Sequence, residues 1–280
     1  MKRKTILSHP AVYLIVSFVL LSLTACVKPI ESQEKIMLQT LEDLSEKNFQ
    51  LMKSQRIFFA HQSVGKNIID GLELLMQETG TAFFNIREIV QAAPEEPAFL
   101  HAYVGENRIP ETKIAAFQEY CLQNDSLHFD VAALKFCFVD VDKSTDVVAL
   151  FENYQKMVTN LQNQQPEIKI VHFTVPIMAR SRGFKHTVKK MLGRRVHEDA
   201  DNVKREEYND LIRNTYRPDR IFDIAYFESI GKDGNRYRYT HRNQNFYTLQ
   251  EEWTDDGGHL NTEGSVYIAE QLILFLSGLE

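Results

Sequence analysis

Short apolar runs alternate with segments of helical periodicity along this chain. A strand with no polar alternation has to be covered on both faces, so this pattern limits the fold more than any other feature. The plainest run is Arg56-Ile57-Phe58-Phe59-Ala60, bounded by His61-Gln62-Ser63. A helix follows at once: Val64, Ile68, Leu72 and Leu75 fall at helical spacing, and Gly80 after Thr79 supplies a stop. Further strands are expected over 83–89, 131–139, 168–175 and 220–226, with helices over 112–122, 146–161 and 202–216. A last helix starts near Asn261 or Thr262 and turns Val266, Ala269, Leu272 and Leu276 inward. The alternation predicts an α/β fold, a parallel sheet of about five strands with helices on both faces. Reactive groups in such sheets gather beyond the carboxyl ends of the strands.

The first residues concern location. Lys2, Arg3 and Lys4 precede the apolar run from Ala11 to Leu23, which is too short to span a bilayer comfortably, and Leu23-Thr24-Ala25-Cys26 follows. Residues 1–25 therefore read as a secretory signal peptide whose end resembles a bacterial lipobox, with Cys26 as the lipidated residue. Acyl chains such as palmitate on Cys26 would hold the protein at a membrane without crossing it, on the envelope side. Residues 26–53 are polar and read as a tether ending in a surface helix, and 54–280 as the folded domain.

About 255 residues after the signal suffice for one domain with a sizeable core. The formal charge of −6 gives no reason to expect a nucleic-acid partner. Besides Cys26, the cysteines are Cys121 and Cys137, which can pair in an oxidising compartment, although Cys137 in an apolar strand also fits a buried thiol. There is no C-x-x-C or H-E-x-x-H spacing, so no metal or other cofactor is expected.

The segment Asp256-Gly257-Gly258-His259-Leu260-Asn261 places a carboxylate and an imidazole three residues apart. A histidine serves as general base for a hydroxyl when its other ring nitrogen is held, and a neighbouring carboxylate does this. The plain alternative is a glycine-rich turn capping the last helix. Asp255 competes with Asp256, and the three-residue spacing favours Asp256. Ser63 offers a nucleophile just past the first strand, and its backbone N–H belongs to the electropositive first turn of a helix, where an oxyanion is stabilised. A serine there is also a common helix N-cap. His61 reads as a structural residue or a pocket wall, and His101 as a residue of the second strand's loop.

The blocks Phe58-Phe59-Ala60-His61-Gln62-Ser63-Val64-Gly65 and Asp256-Gly257-Gly258-His259-Leu260-Asn261 resemble those of the SGNH, or GDSL-like, hydrolase superfamily. Phe222-Asp223-Ile224-Ala225 resembles that family's final strand. The resemblance implies a flavodoxin-like three-layer α/β/α sandwich and a serine esterase with Ser63, His259 and Asp256 as catalytic residues. It further implies oxyanion donors from Ser63 and from Gly105 in Val104-Gly105-Glu106-Asn107. The chain departs from the family twice. His61-Gln62-Ser63 replaces Gly-Asp-Ser, and Val139 in Cys137-Phe138-Val139-Asp140 stands where the family has an asparagine donor. Asn107, or a backbone N–H near Gly105, is the candidate replacement, and His61, Gln62 and Asp140 are candidate pocket residues.

Arg180, Arg182, Lys185, Lys189, Lys190, Arg194 and Arg195 form a basic stretch that suits an anionic polymer or lipid headgroups, or is simply a solvated face. Tyr237, Tyr239, Phe246, Tyr247 and Trp253 lead into the last loop, where aromatics either stack on sugar rings or pack inside. The expectation is a lipid-anchored envelope ester hydrolase with a small-molecule or glycan ester substrate, an acylated glycan being preferred. Two alternatives stay open: a non-catalytic lipoprotein that binds glycan or a partner, and an O-acyltransferase.

Overall fold

The computed structural model describes residues 32–89, 96–122, 128–180 and 199–279. The first strand, β1 (Ser32–Lys35), lies apart from the main sheet. That sheet is built from β2 (Arg56–His61), β3 (Ile86–Glu88), β4 (Ala98–Tyr103), β5 (Val131–Leu134), β6 (Lys169–Phe173) and β7 (Ile221–Phe222). The spatial order is β3-β4-β2-β5-β6-β7, and every neighbouring pair is parallel. The fold is α/β with six strands in the sheet, one more than the sequence pattern suggests.

The period of two along a strand explains the near-continuous apolar composition. Ile57 and Phe59 of β2 enter one hydrophobic cluster, whereas Phe58 and Ala60 enter the other. Helices α1 (Glu46–Lys53), α2 (Val64–Thr79) and, at the other end of the chain, the last helix (Thr262–Ser277) cover the first face through Met52, Ile68, Leu72, Ile268 and Leu272. The opposite face is covered by α3 (Pro110–Leu122), α4 (Val147–Gln164) and α5 (Asp199–Thr215), through Phe117, Phe151 and Tyr208. A short α6 (Ile224–Glu228) precedes the last helix, which is α7.

Several boundaries differ from expectation for local reasons. The segment 131–139 is strand only to Leu134; Cys137 then opens a 3-10 turn, Phe138–Asp140, in which the Asp140 carboxylate accepts the Cys137 N–H at 2.6 Å. The segment 220–226 gives two strand residues before Asp223 caps α6, its carboxylate accepting the Tyr226 N–H. Packing also begins ahead of residue 54: β1 pairs antiparallel with β8 (Asn235–His241), and Met52 of α1 is buried, so part of the presumed tether belongs to the folded body. The strand β9 (Gln244–Phe246) completes a hairpin with β8.

Cys121 and Cys137 are buried free thiols. Among the described residues no helix is long and apolar enough to cross a membrane. Cys26 and the signal segment lie outside the described residues, as does the basic stretch except for Arg180, which pairs with Asp199.

The position of β2 is what matters for function. It lies between β4 and β5: from β2 the chain runs to the edge strand β3, returns inward through β4, and then crosses to β5 on the other side. The loops that follow β2, β4 and β5 therefore lie side by side at the carboxyl edge, where doubly wound sheets bind ligands.

Candidate active site

Ser63 follows β2 and precedes α2, and its backbone is at φ 53, ψ −114. L residues rarely adopt a positive φ, and holding one there costs roughly 1–3 kcal/mol, so the surrounding packing must enforce it. The side chain makes no capping hydrogen bond to the helix. Its Oγ instead lies 2.7 Å from His259 Nε2.

His259 arrives from the loop before α7. Its Nδ1 is 2.6 Å from Asp256 Oδ2, and the other carboxylate oxygen accepts the backbone N–H groups of Gly258 and His259, each at 2.8 Å. Gly257 sits at φ 91, and this left-handed residue folds the loop tightly enough for one carboxylate to meet both the ring and the backbone. Partial burial alone would raise the Asp256 carboxyl. The hydrogen bonds from the His259 ring and the two backbone N–H groups outweigh it and hold the group below its ordinary value. Asp256 therefore stays ionised at neutral pH and fixes the tautomer in which Nε2 faces Ser63 as an acceptor. Asp255 is exposed and makes none of these contacts. The Phe138 ring meets His259 edge-on, with centroids 5.3 Å apart.

The loop is anchored to its helix independently of the relay. Asn261 caps α7, its side-chain oxygen accepting the Gly264 N–H at 2.9 Å while its Nδ2 donates to Glu252 O. Helix capping thus falls to Asn261, and the contact with the His259 ring to Asp256.

The other sequence candidates separate into those beside the relay and those beneath it. Gly105, at φ 58, lies in the loop after β4, and Gln62 Nε2 donates to its carbonyl at 3.2 Å, which ties that loop to the residue next to Ser63. Asn107 is exposed in the same loop. His61 is wholly buried, which corrects the pocket expectation: its Nε2 lies 3.1 Å from His101 Nδ1 inside the sheet. His101 belongs to β4 itself, not to a loop. Burial, followed by the nearby Lys135, His101 and Lys66 charges, pushes the His61 imidazole down to about 2, so it is neutral. A β-carbon on Gly65 would fall 2.3 Å from His61 Cβ, so the first turn of α2 can pass over this ring only as glycine.

Asp140 is likewise buried, with its carboxylate occupied by Lys113 Nζ and by the N–H groups of Cys137 and Arg108. It does not line a pocket. Val139 is half-buried against the apolar cluster on the α2 and α7 side. The aromatic stretch is mostly internal: Tyr239, Phe246 and Trp253 are buried, and the Trp253 Nε1 donates to Ile230 O at 2.7 Å. Stacking on sugar rings therefore gains no support from these three.

Two buried residues behind the site are absent from the sequence expectations. Arg205, fully buried, donates from Nε to Phe138 O at 2.9 Å and so holds the loop that touches His259. Lys113 falls on the buried stripe Pro110, Lys113, Ile114, Phe117 and Cys121 of α3. A lysine at an apolar position of a helical stripe is a readable sign of a buried ion pair.

The fold and site together define a doubly wound α/β chain with a Ser-His-Asp relay at its switch point. Among known proteins, no family model and no curated sequence matches the chain. One similar solved structure is a Streptococcus pneumonia protein provisionally described as a platelet activating factor, with 13% identity, TM-score 0.46, and coverage of 96% of this chain and 100% of that one. Another is the periplasmic domain of a lipopolysaccharide acetyltransferase from Salmonella ser. Paratyphi A, with 12% identity, TM-score 0.41, and coverage of 79% and 83% respectively.

Proposed function

We propose that this chain is a serine ester hydrolase. The observation that carries the reading is the continuous relay from Ser63 Oγ through His259 to Asp256, with both links within hydrogen-bond distance. Ser63 Oγ attacks the acyl carbonyl while His259 Nε2 takes its proton. The tetrahedral oxyanion is met by the Ser63 backbone N–H, the Gly105 backbone N–H and the Asn107 side chain. As the intermediate collapses, His259 returns the proton to the leaving alcohol, and the acyl group remains on Ser63. Water, deprotonated by His259, then attacks the acyl-enzyme, which releases the acid and restores the serine.

Asp256 orients the imidazole and stabilises its charged form without taking the proton. The His259 and Asp256 side chains are 46% and 57% exposed, so water reaches the relay directly, which favours hydrolysis over transfer to a second alcohol. Since Tyr239, Phe246 and Trp253 are packed inside, the reading commits to the ester bond and to no particular alcohol.

The test is turnover of a short-chain nitrophenyl ester by the wild-type chain beside Ser63→Ala. Loss of at least about 1,000-fold in the variant, with an unchanged melting curve, is the expected outcome. Equal activity in both proteins would end the hydrolase reading.

A further inference from the structure

Val139, after β5, stands where the resembled family has an asparagine donor, and the loop after β4 contains a second carboxamide whose orientation is fixed. Asn107 is exposed, yet its Oδ1 accepts a hydrogen bond at 2.9 Å from Nζ of Lys113, a residue with no exposed surface. An ammonium only donates, so the end of the carboxamide facing Lys113 has to be the oxygen. The Nδ2 end, with its two donors, is the end left for a ligand.

The Lys113 ammonium is itself fixed. It pairs with Asp140, and the pair has no exposed side-chain surface. Asp140 accepts the Arg108 N–H at 2.7 Å and the Cys137 N–H at 2.6 Å, so one carboxylate joins the loop after β4 to the loop after β5. These two loops flank Ser63 at the switch point, and the first is also held by Gln62 through Gly105. A buried ion pair is a weak source of stability, because desolvation offsets its attraction, and pairs of this kind are better understood as fixing a geometry. The geometry fixed here is that of Asn107.

We propose that Lys113, held by Asp140, is a positioning residue that presents Asn107 Nδ2 to the oxyanion, in the role left open by Val139. The inference rests on the hydrolase reading of Ser63. The Asn107 carboxamide does not have to rotate when charge develops, which is the condition under which a single donor is worth on the order of 100-fold in rate.

The experiment measures the rate at which a fluorophosphonate labels Ser63 in the full chain purified in detergent. In that reaction the Oγ–P bond forms, the P–F bond breaks, fluoride leaves and His259 takes the hydroxyl proton. Asn107→Asp keeps an acceptor for Lys113 while exchanging the donor end for a charged oxygen, and Asn107→Ala removes the donor with no added charge, so a comparable loss in both assigns the effect to the donor. Asn107→Asp and Asn107→Ala should each slow labelling about 100-fold, with the loss in the rate constant and little change in the half-saturating concentration. Lys113→Met should slow the wild-type chain comparably and the Asn107→Ala chain no further, because it acts through Asn107. Wild-type labelling rates in Asn107→Asp, or losses that multiply in the double variant, would overturn the proposal while leaving the nucleophile intact. A wild-type chain that is not labelled at Ser63 at all would instead remove the hydrolase reading beneath it.

Discussion

Ser63 combines a reactive position with an unfavourable backbone. At φ 53 and ψ −114 it occupies a region that suits glycine, and the packing of β2 and α2 holds it there. Ser63→Gly should therefore be more stable than Ser63→Ala by about 1 kcal/mol, while neither turns over ester. Denaturant midpoints of the two variants measure this, and equal midpoints would mean that the conformation is unstrained. At this scale the pairing of groups is partly legible: the three-residue interval favours Asp256 over Asp255, and it is Asp256 that meets His259. The position of Ser63 reads equally as a helix N-cap, and its nucleophile role comes from the family resemblance. The positive φ of Ser63 has no local sequence signature, since a serine there is equally an ordinary helix N-cap. Lys113, on the apolar stripe of α3, signals a buried ion pair without saying with whom. Its partner Asp140 is 27 residues away, and only the fold makes the pair.

Two helices hold the two halves of the relay. Ser63 stands at the N-terminus of α2 and His259 just ahead of α7, and α2 packs on α7 more extensively than on any other described element. Gly71 permits this: a β-carbon there would lie 2.0 Å from the Ser265 carbonyl oxygen. Gly71→Ala has to push the helices apart, at a cost of about 1–3 kcal/mol. It should also slow ester turnover even though Gly71 is a full two turns from the nucleophile, since the 2.7 Å link between Ser63 and His259 depends on the helix spacing. Thermal melting and kinetics on the same variant check both effects, and a stable, fully active Gly71→Ala would break the connection. Element positions were legible wherever the apolar period was long, as in α2, α4 and α7. β4 was missed because His101 interrupts its apolar run. Inside the sheet, burial lowers that imidazole against the pull of Glu88, and its Nδ1 meets His61 Nε2, so it packs as a strand residue, a tertiary effect with no local trace.

Across the whole molecule, buried titratable groups set how stability varies with pH. Burial, ahead of the nearby charges, drives His61 down to about 2, and burial ahead of Arg220 drives His172 down to about 3, so both are neutral when folded and protonated when unfolded below about 6.5. Burial pushes the Glu228 carboxyl up to about 8 against the pull of the Ile177 N–H, Lys135 and Arg205, so it keeps its proton when folded and loses it above about 4.5 when unfolded. Below 6.5 the unfolded chain binds more protons at the histidines, and stability falls with acid by up to about 1.4 kcal/mol per pH unit for each. From 4.5 to 8 the folded chain binds one more proton at Glu228, which lowers stability as pH rises. Below 6.5 the two histidines outweigh Glu228; between 6.5 and 8 Glu228 acts alone among the three. Urea midpoints should therefore peak near pH 6.5, and Glu228→Gln should abolish the decline above it. A decline that persists in that variant would assign it elsewhere.

The relay stands half out of the surface at the open edge of the sheet, with Asp256 and His259 both well exposed. On the proposed hydrolase reading, a relay placed on a rim, instead of at the bottom of a well, selects by the reach of an ester group and by its angle of approach. What the ester hangs from can extend away into solvent, so a pendant acyl group on a large body presents its carbonyl to Ser63 on the same terms as a free small molecule.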